Sequence, residues 1–189
     1  MFAPVPVVAA GLIAFAFRDP ERLIDRRAHL ALSPADGRVL RVSVEFDHYW
    51  QTEMTEIAIF LALPNVHVQR WPLDGEVVAQ RRKAGGYKPA MTEAATHGNN
   101  QFAHYLDTPA GPCTVTQISG LVARRIVTWS QVGDTVEQGD RLGMIKFGSQ
   151  VTLRLPTSAN VLVQANDRVV GGRTVIAEMA PAPNEDVEA

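Results

Sequence analysis

The stretch GDTVEQGDRLGMI, residues 133–145, is followed by a similar one, NDRVVGGRTVIAE, residues 166–178. Four positions correspond between the copies: Asp134 with Asp167, Val136 with Val169, Gly139 with Gly172, and Leu142 with Val175. Each copy predicts a turn, a strand, a glycine that permits positive φ or a close backbone approach, and a second short strand. The alternative is two unrelated turns that both use Gly and Asp.

Most of the remaining chain is also patterned as strands. Segments rich in Val, Ile and Thr are separated by Gly, Pro, Asp and Asn: GRVLRVSVEF, TEIAIFLAL, GEVVAQRR, CTVTQISGLVARRIVTW and QVTLRLP. Paired units of this kind resemble the barrel-sandwich hybrids of lipoyl and biotinyl domains. We therefore predict a mostly β fold, a single domain with barrel-sandwich-hybrid-like repeats and a short apolar N-terminal segment.

The bulk composition excludes several classes of function. A net charge of −2 over 189 residues gives no field that gathers nucleic acid, and we predict no nucleic-acid partner. Cys113 is the single cysteine, which excludes an intramolecular disulfide and favours a reducing compartment. No metal is predicted, because these histidines share no metal-ligand spacing: His29, His48, His97 and His104.

The first residues depart from this soluble profile. Phe2 to Phe17 carry no charge, but the run is shorter than the roughly 20 residues that span a bilayer, and Pro4 and Pro6 break its first turn. We interpret it as a segment that rests in or dips into the membrane; the alternative is a buried hairpin or core helix. Three arginines are expected at the head-group level: Arg22, Arg26 and Arg27.

The predicted organisation has three parts. Residues 1–28 form the membrane-associating segment and a polar connector, RDPERLIDRRAHL, that is a short helix or turn. Residues 29–180 form the β-rich domain, in which Arg81 to Tyr105 are irregular and predict a long excursion. Residues 181–189 are acidic, broken by proline and expected to be disordered.

A Gly-Ser pair, Gly148 and Ser149, interrupts the apolar run MIKFGSQV. A serine hydroxyl can attack its own preceding carbonyl through a five-membered ring, and glycine leaves that carbonyl open and tolerates the strained backbone. The resulting ester can eliminate to dehydroalanine, which hydrolyses to a pyruvoyl group, provided that a base and oxyanion donors are present. Most Gly-Ser pairs lie in turns or bulges, so the pair alone does not indicate this chemistry.

Five motifs in fixed order resemble the phosphatidylserine decarboxylases, in particular their short form. They are FRDPER (17–22), SPADGRV (33–39), PNVHVQRWPLDGEV (64–77), QISGLVARRIV (117–127) and GDRLGMIKFGS (139–149). Together they extend the resemblance from Phe17 to about Glu178.

The resemblance implies self-cleavage between Gly148 and Ser149, giving a β chain of residues 1–148 and an α chain of residues 149–189 that stay associated. It implies a covalent pyruvoyl cofactor made from Ser149, which forms a Schiff base with phosphatidylserine and acts as an electron sink for loss of CO2. The product is phosphatidylethanolamine, and the substrate lies in the membrane. The expected location is the cytoplasmic membrane, peripheral or shallowly anchored on the cytoplasmic side, and a homo-oligomer is left open.

The resemblance also assigns residues. Asp36 serves in self-processing, as the base or the group that orients it, although Asp-Gly after Pro is also ordinary turn chemistry. His67 acts as general acid in decarboxylation, with a part in cleavage; the alternative is a satisfied strand histidine. Arg124 and Arg125 face opposite sides of a strand, so only one can hold phosphate or carboxylate, and a surface salt bridge is the alternative for either.

Two departures fall beside the expected site. Gln150 stands where the family places Arg or Thr, and GNNQ (98–101) replaces Glu-Asn-Glu-Arg, keeping only Asn99 as an expected substrate contact. The alternatives are therefore the same chemistry on another amino-acid phospholipid of the archaetidylserine type, a processed but silent relative, or a non-enzymatic lipoyl-like binding module. That module needs a lysine at a hairpin tip, whereas residues 146–165 contain only Lys146, at a strand end.

Overall fold

The computed structural model describes residues 11, 15, 18–121, 125–145 and 149–180. Gly148, Arg124, the 181–189 tail and most of the apolar N-terminal segment lie outside the described residues. Within the described part, the chain forms one short helix, α1 (Glu93–Gly98), and fourteen strands: β1 (Leu30–Leu32), β2 (Gly37–Asp47), β3 (Thr52–Leu61), β4 (Val68–Arg70), β5 (Gly75–Lys83), β6 (Gln101–Thr108), β7 (Gly111–Ile118), β8 (Ile126–Thr128), β9 (Thr135–Val136), β10 (Arg141–Ile145), β11 (Ser149–Pro156), β12 (Asn160–Val161), β13 (Arg168–Val169) and β14 (Val175–Glu178).

The strand order has internal symmetry. The long sheet runs β13-β2-β3-β11-β7-β6-β5-β9, and the two small sheets run β1-β14-β12 and β4-β10-β8. About the β11–β7 pair, β13, β2 and β3 on one side correspond to β9, β5 and β6 on the other, and the small sheets correspond in the same way. This arrangement confirms the mostly β, single-domain prediction.

The repeat that was visible in the sequence supplies matching strands to both halves. Its first copy forms β9 and β10, and its second copy forms β13 and β14. Gly139 has φ +89° and Gly172 has φ +69°, a region that side-chain-bearing residues rarely adopt, which explains the glycine in both copies. Their N–H groups donate to Trp71 O and Ser33 O, both at 2.8 Å.

The duplication extends further than the sequence analysis recognised. SPADGRV (33–39) and WPLDGEV (71–77) share Pro, Asp, Gly and Val at matching positions. The Gly171 N–H donates to Asp36 Oδ1 at 2.8 Å, and the Gln138 N–H donates to Asp74 Oδ1 at 2.6 Å. Each of these N–H groups precedes its repeat glycine, so the two aspartates are structurally equivalent.

The core lies on one face of the long sheet. Alternate residues of β3 and β11 point into it because successive strand side chains face opposite sides. The core residues of these two strands, all fully buried, are Ile57, Ile59, Leu61, Val151, Leu153 and Leu155. Cys113 belongs to the same core, and burial raises the pKa of its thiol.

Two predicted segments differ in extent. CTVTQISGLVARRIVTW divides into β7 and β8, because the chain leaves the long sheet after the Ser119 N–H donates to Asn100 O at 2.9 Å. The excursion is shorter than predicted, because the pairing of β5 with β6 reaches Lys83 and Gln101 despite their weak alternation. Pairing across the sheet overrides the local pattern there.

The polar connector forms no helix within residues 18–28. Ion pairs hold it against the domain instead, and the Arg22 guanidinium, expected at the head groups, is 7% exposed in a pair with Asp36. Arg26 pairs with Glu137, and Asp19 pairs with Arg70. No helix among the described residues is long and apolar enough to cross a membrane.

Candidate active site

Ser149 begins β11 and pairs with Leu61, the last residue of β3. Its side chain is 0% exposed, and among the described residues its hydroxyl has no hydrogen-bond partner. Alternation along β11 directs this hydroxyl to the face of the core residue Val151. A buried hydroxyl without a partner is uncommon and requires an explanation, of which a chemical role is one.

Gln150 faces the opposite side of the sheet from Ser149. Its Oε1 accepts a hydrogen bond from Thr96 Oγ1 of α1 at 3.0 Å, and Arg41 donates to the same Thr96 oxygen at 3.2 Å. Thr96 also lines a polar cavity of about 710 Å³ on this face. Gln150, the residue that departs from the expected family pattern, therefore links α1 of the excursion to β11, the strand that begins with Ser149.

His67 lies beside the end of β10. The turn Ala62–Asn65 reverses the chain after β3, and the Ile145 N–H donates to His67 O at 3.2 Å. The ring is 1% exposed, and its Nδ1 lies 2.9 Å from Asn65 O. Because a carbonyl only accepts, Nδ1 carries the proton, and in the neutral ring Nε2 holds the lone pair that a base requires.

A chain of buried amides fixes the backbone of His67. Gln80 donates to His104 Nδ1 at 3.1 Å, His104 Nε2 donates to Gln117 Oε1 at 3.1 Å, and Gln117 donates to Gln69 Oε1 at 2.8 Å. Gln69 then donates to His67 O at 2.7 Å. Desolvation lowers the pKa of His104 to about 4, despite the opposing bond to Gln117, so its ring stays neutral near pH 7.

Asp36 lies at the same end of the sheet as Ser149 but not beside it. Arg38 and Gln150 pair with Phe60 from opposite sides, which separates their Cα atoms by two strand spacings, about 10 Å. The Asp36 carboxylate is 13% exposed and accepts two bonds from Arg22, at 2.7 and 3.0 Å. Its role in processing stays a prediction.

Asn99 links the excursion to the end of β7 through hydrogen bonds. Its side chain is fully buried, accepts from Lys88 N at 2.7 Å, and donates to Lys88 O and Ser119 O, both at 2.8 Å. Both amide protons are therefore used within the protein. Substrate contact by Asn99 stays a prediction, as it does for Arg125, which is exposed at the start of β8.

Sequence reasoning missed two residues of this region. Arg22 lies in the FRDPER motif, yet a surface role was expected for it, because the sequence gives no sign that Asp36 would be its partner. Ser119 lies in QISGLVARRIV, and its hydroxyl is buried without a partner among the described residues. A serine at a strand end gives no sequence signal of such burial.

Comparisons with known proteins address the family of the chain. The family model described as phosphatidylserine decarboxylase matches residues 10–177. A phosphatidylserine decarboxylase proenzyme of Symbiobacterium thermophilum is 42% identical over 91% of this chain and 82% of its own length. One of Streptomyces avermitilis is 40% identical over 92% of this chain and 76% of its own.

An archaeal relative is similar to the same degree. The protein of Methanosarcina mazei named "Putative archaetidylserine decarboxylase proenzyme" is 39% identical over 93% of this chain and 79% of its own length. The match to the family model covers most of the chain, including β1–β13 and the described site. The chain therefore belongs to the phosphatidylserine decarboxylase family, and it is a decarboxylase.

Proposed function

We propose that this chain cleaves itself between Gly148 and Ser149 and then converts phosphatidylserine to phosphatidylethanolamine and CO2. The observation that carries the proposal is the fully buried Ser149 hydroxyl, which has no hydrogen-bond partner among the described residues. It begins a strand at the end of the sheet where His67 also lies. The word proenzyme in the names of the relatives supports the processing step.

Processing starts with the Ser149 hydroxyl, which adds to the Gly148 carbonyl carbon as its proton passes to a base. The C–N bond breaks, a proton goes to the nitrogen, and an ester joins the two residues. Removal of the Cα proton of residue 149 expels the Gly148 carboxylate and leaves dehydroalanine. Water then replaces the nitrogen, ammonia leaves, and a pyruvoyl group begins the α chain, residues 149–189.

The surroundings of residue 149 fit a pyruvoyl group. Leu61 and Val151 beside it are apolar and fully buried, so bulk water is excluded. Once formed, the group would supply a ketone able to form a Schiff base with the substrate amine and to withdraw electrons as CO2 leaves. No other cofactor is proposed.

His67 is assigned the proton transfers. Its Nε2 lone pair suits it to accept a proton during cleavage, and the protonated ring suits it to donate one to the substrate carbon after CO2 departs. The bonds to its carbonyl from Ile145 N, at 3.2 Å, and Gln69 Nε2, at 2.7 Å, hold its backbone in place. Asp36 is assigned an orienting role in processing.

We expect the enzyme to act at the cytoplasmic side of the membrane, peripherally or shallowly anchored. Arg18, which follows the apolar N-terminal segment, donates to Pro64 O at 3.0 Å in the turn after β3. Leu63 is 56% exposed in that turn, and Leu121, just beyond β7, is 60% exposed. These exposed apolar side chains at the end of the sheet where β11 begins support a bilayer facing the site. Arg124 or Arg125 is proposed to hold the lipid phosphate or carboxylate there.

A second substrate is favoured by one comparison. The Methanosarcina mazei relative is named for archaetidylserine, and its identity to this chain is close to that of the bacterial relatives. The same chemistry on an archaetidylserine-type lipid is therefore the second candidate, because the reacting serine head group is shared.

The test supplies purified protein with vesicles that contain phosphatidylserine or archaetidylserine, and identifies the lipid products by mass spectrometry. We expect phosphatidylethanolamine from the first, and no product from Ser149→Ala. Product from archaetidylserine alone selects the second candidate. If fully cleaved protein decarboxylates neither lipid, both substrate proposals are wrong.

A further inference from the structure

Three buried side-chain polar atoms of the described residues have no hydrogen-bond partner: Ser119 Oγ, Ser149 Oγ and Gln150 Nε2. All three lie within one position of the Gln150–Ile118 pair, which joins β11 to β7. Because an unpaired buried polar group is costly, folded proteins keep few of them. Their concentration beside the proposed cleavage point indicates a role for Ser119, which the proposed mechanism does not use.

The backbone bonds of Ser119 define how it faces β11. Its N–H donates to Asn100 O at 2.9 Å, and its carbonyl accepts from Asn99 Nδ2 at 2.8 Å, so both groups are used on the β6 side. Extending the antiparallel register by one position sets Ser119 opposite Ser149. Such a pair, without hydrogen bonds between its two residues, is the closely spaced type, with Cα atoms about 4.5 Å apart.

Residues opposite each other in a sheet share a face. The hydroxyls of Ser119 and Ser149 therefore lie on the same side, away from Gln150. β11 fixes the backbone of Ser149, and the two bonds on the β6 side fix that of Ser119. χ1 is then the torsion left to set, and at this Cα separation other staggered rotamers let the two oxygens approach each other.

We propose that Ser119 is a positioning residue for self-cleavage. Its hydroxyl donates a hydrogen bond to the Ser149 oxygen, which holds that oxygen in the rotamer that attack on the Gly148 carbonyl requires and leaves the Ser149 proton for the base. The inference rests on the proposed self-processing. It adds a residue that shapes the reaction without exchanging covalent bonds.

The test follows cleavage of newly synthesised full-length protein over time by gel electrophoresis and intact mass. We expect Ser119→Ala to cleave roughly tenfold more slowly than the unmodified chain, and Ser119→Thr, which keeps the hydroxyl, to restore most of the rate. Unfolding temperatures are compared in the uncleavable Ser149→Ala background. There, Ser119→Ala should be no less stable, because it removes a hydroxyl that has no bond.

Ser130→Ala is the matched control. Ser130 accepts a bond from Trp71 Nε1 at 3.0 Å in the core, so its loss should lower the unfolding temperature and leave the cleavage rate unchanged.

Each other outcome has one reading. Cleavage of Ser119→Ala at the unmodified rate overturns the inference. Slow cleavage with a lowered unfolding temperature and no recovery in Ser119→Thr also overturns it, because the role is then structural. Failure of the unmodified chain to cleave, or cleavage in Ser149→Ala, overturns the proposed self-processing instead.

Discussion

Ser149 and Gln150 are neighbours in the chain but serve opposite faces of the long sheet. The Ser149 hydroxyl is buried on the core face, whereas Gln150 accepts from Thr96 on the other. The first residue carries the proposed chemistry, and the second links the strand to α1. A neutral side chain suits position 150, because Arg41 already donates to Thr96 at 3.2 Å. An arginine at position 150 would put a second cation beside Arg41.

Asp36 and Asp74 hold equivalent positions in the two halves of the fold, but only Asp36 is proposed to act in processing. Variants of the two residues therefore distinguish a structural role from a role in cleavage. In the Ser149→Ala background, each Asp→Ala change should lower the free energy of unfolding, measured by urea, by about 1–3 kcal/mol, because each removes the acceptor of a backbone N–H. Asp36→Ala should lower it further, because it also leaves the buried Arg22 guanidinium without its carboxylate. With Ser149 present, only Asp36→Ala should slow cleavage, followed on gels. Equal cleavage in both variants would confine Asp36 to a role in the fold.

For His67, we predict that His67→Ala lowers the decarboxylation rate by about 10²–10⁴-fold, because a positioned proton donor contributes on that order. The measurement is turnover of phosphatidylserine per cleaved chain, which separates decarboxylation from processing. His48→Ala is the control, since His48 is exposed. Unchanged turnover in fully cleaved His67→Ala would remove His67 from the mechanism.

At the scale of elements, the sequence repeat predicted β9, β10, β13 and β14, because glycine at a positive φ leaves a recognisable mark. The Val-, Ile- and Thr-rich segments with partial alternation also predicted β2, β3, β5 and β11. The sequence did not predict that each Pro-x-Asp-Gly-x-Val segment contacts one copy of the repeat. Asp36 accepts from Gly171 and Asp74 accepts from Gln138, and these contacts span very different lengths of chain. For the same reason, burial of Ser119 follows from pairing and has no local signal.

The amide chain through β5, β6, β7 and β4 makes stability depend on pH. The pKa of His104 is about 4 in the folded protein, against about 6.5 in an unfolded chain. Between about pH 4 and pH 6.5, the unfolded state therefore binds a proton at His104 that the folded state does not bind. Stability is full above pH 6.5 and falls by at most about 3 kcal/mol as the pH is lowered to 4.

His104→Gln cannot titrate and should remove this part of the acid sensitivity. Urea unfolding at pH 7 and pH 4.5, in the Ser149→Ala background, gives the comparison, with exposed His48→Gln as the control. The same loss between the two pH values in His104→Gln and in the parent would show that His104 does not cause it.

At the scale of the whole molecule, the two halves of the fold are alike, but the proposed active site is not repeated. The strand order is symmetric about β11 and β7, yet β11 begins with Ser149 and β7 begins with Gly111. Arg18, which follows the apolar N-terminal segment in the chain, donates to Pro64 O at the end of the sheet where β11 begins. Membrane contact and chemistry are therefore expected at the same end of the molecule.

We predict that Leu63→Asp and Leu121→Asp each weaken binding to phosphatidylserine vesicles about tenfold, because burial of a leucine contributes about 1.5–3 kcal/mol. Co-sedimentation measures the bound fraction. Leu162→Asp is the control, since Leu162 is 50% exposed and lies beyond the opposite end of β11. Equal loss in all three variants, or none, would argue against a bilayer at this end.

Intact mass spectrometry of the purified protein tests the central claim most directly. The account predicts two chains divided after Gly148, the shorter one lighter by one ammonia than a chain that begins with serine, because a pyruvoyl group has replaced that residue. Ser149→Ala should give one undivided chain. A single unmodified chain from the parent protein after prolonged incubation would contradict the account.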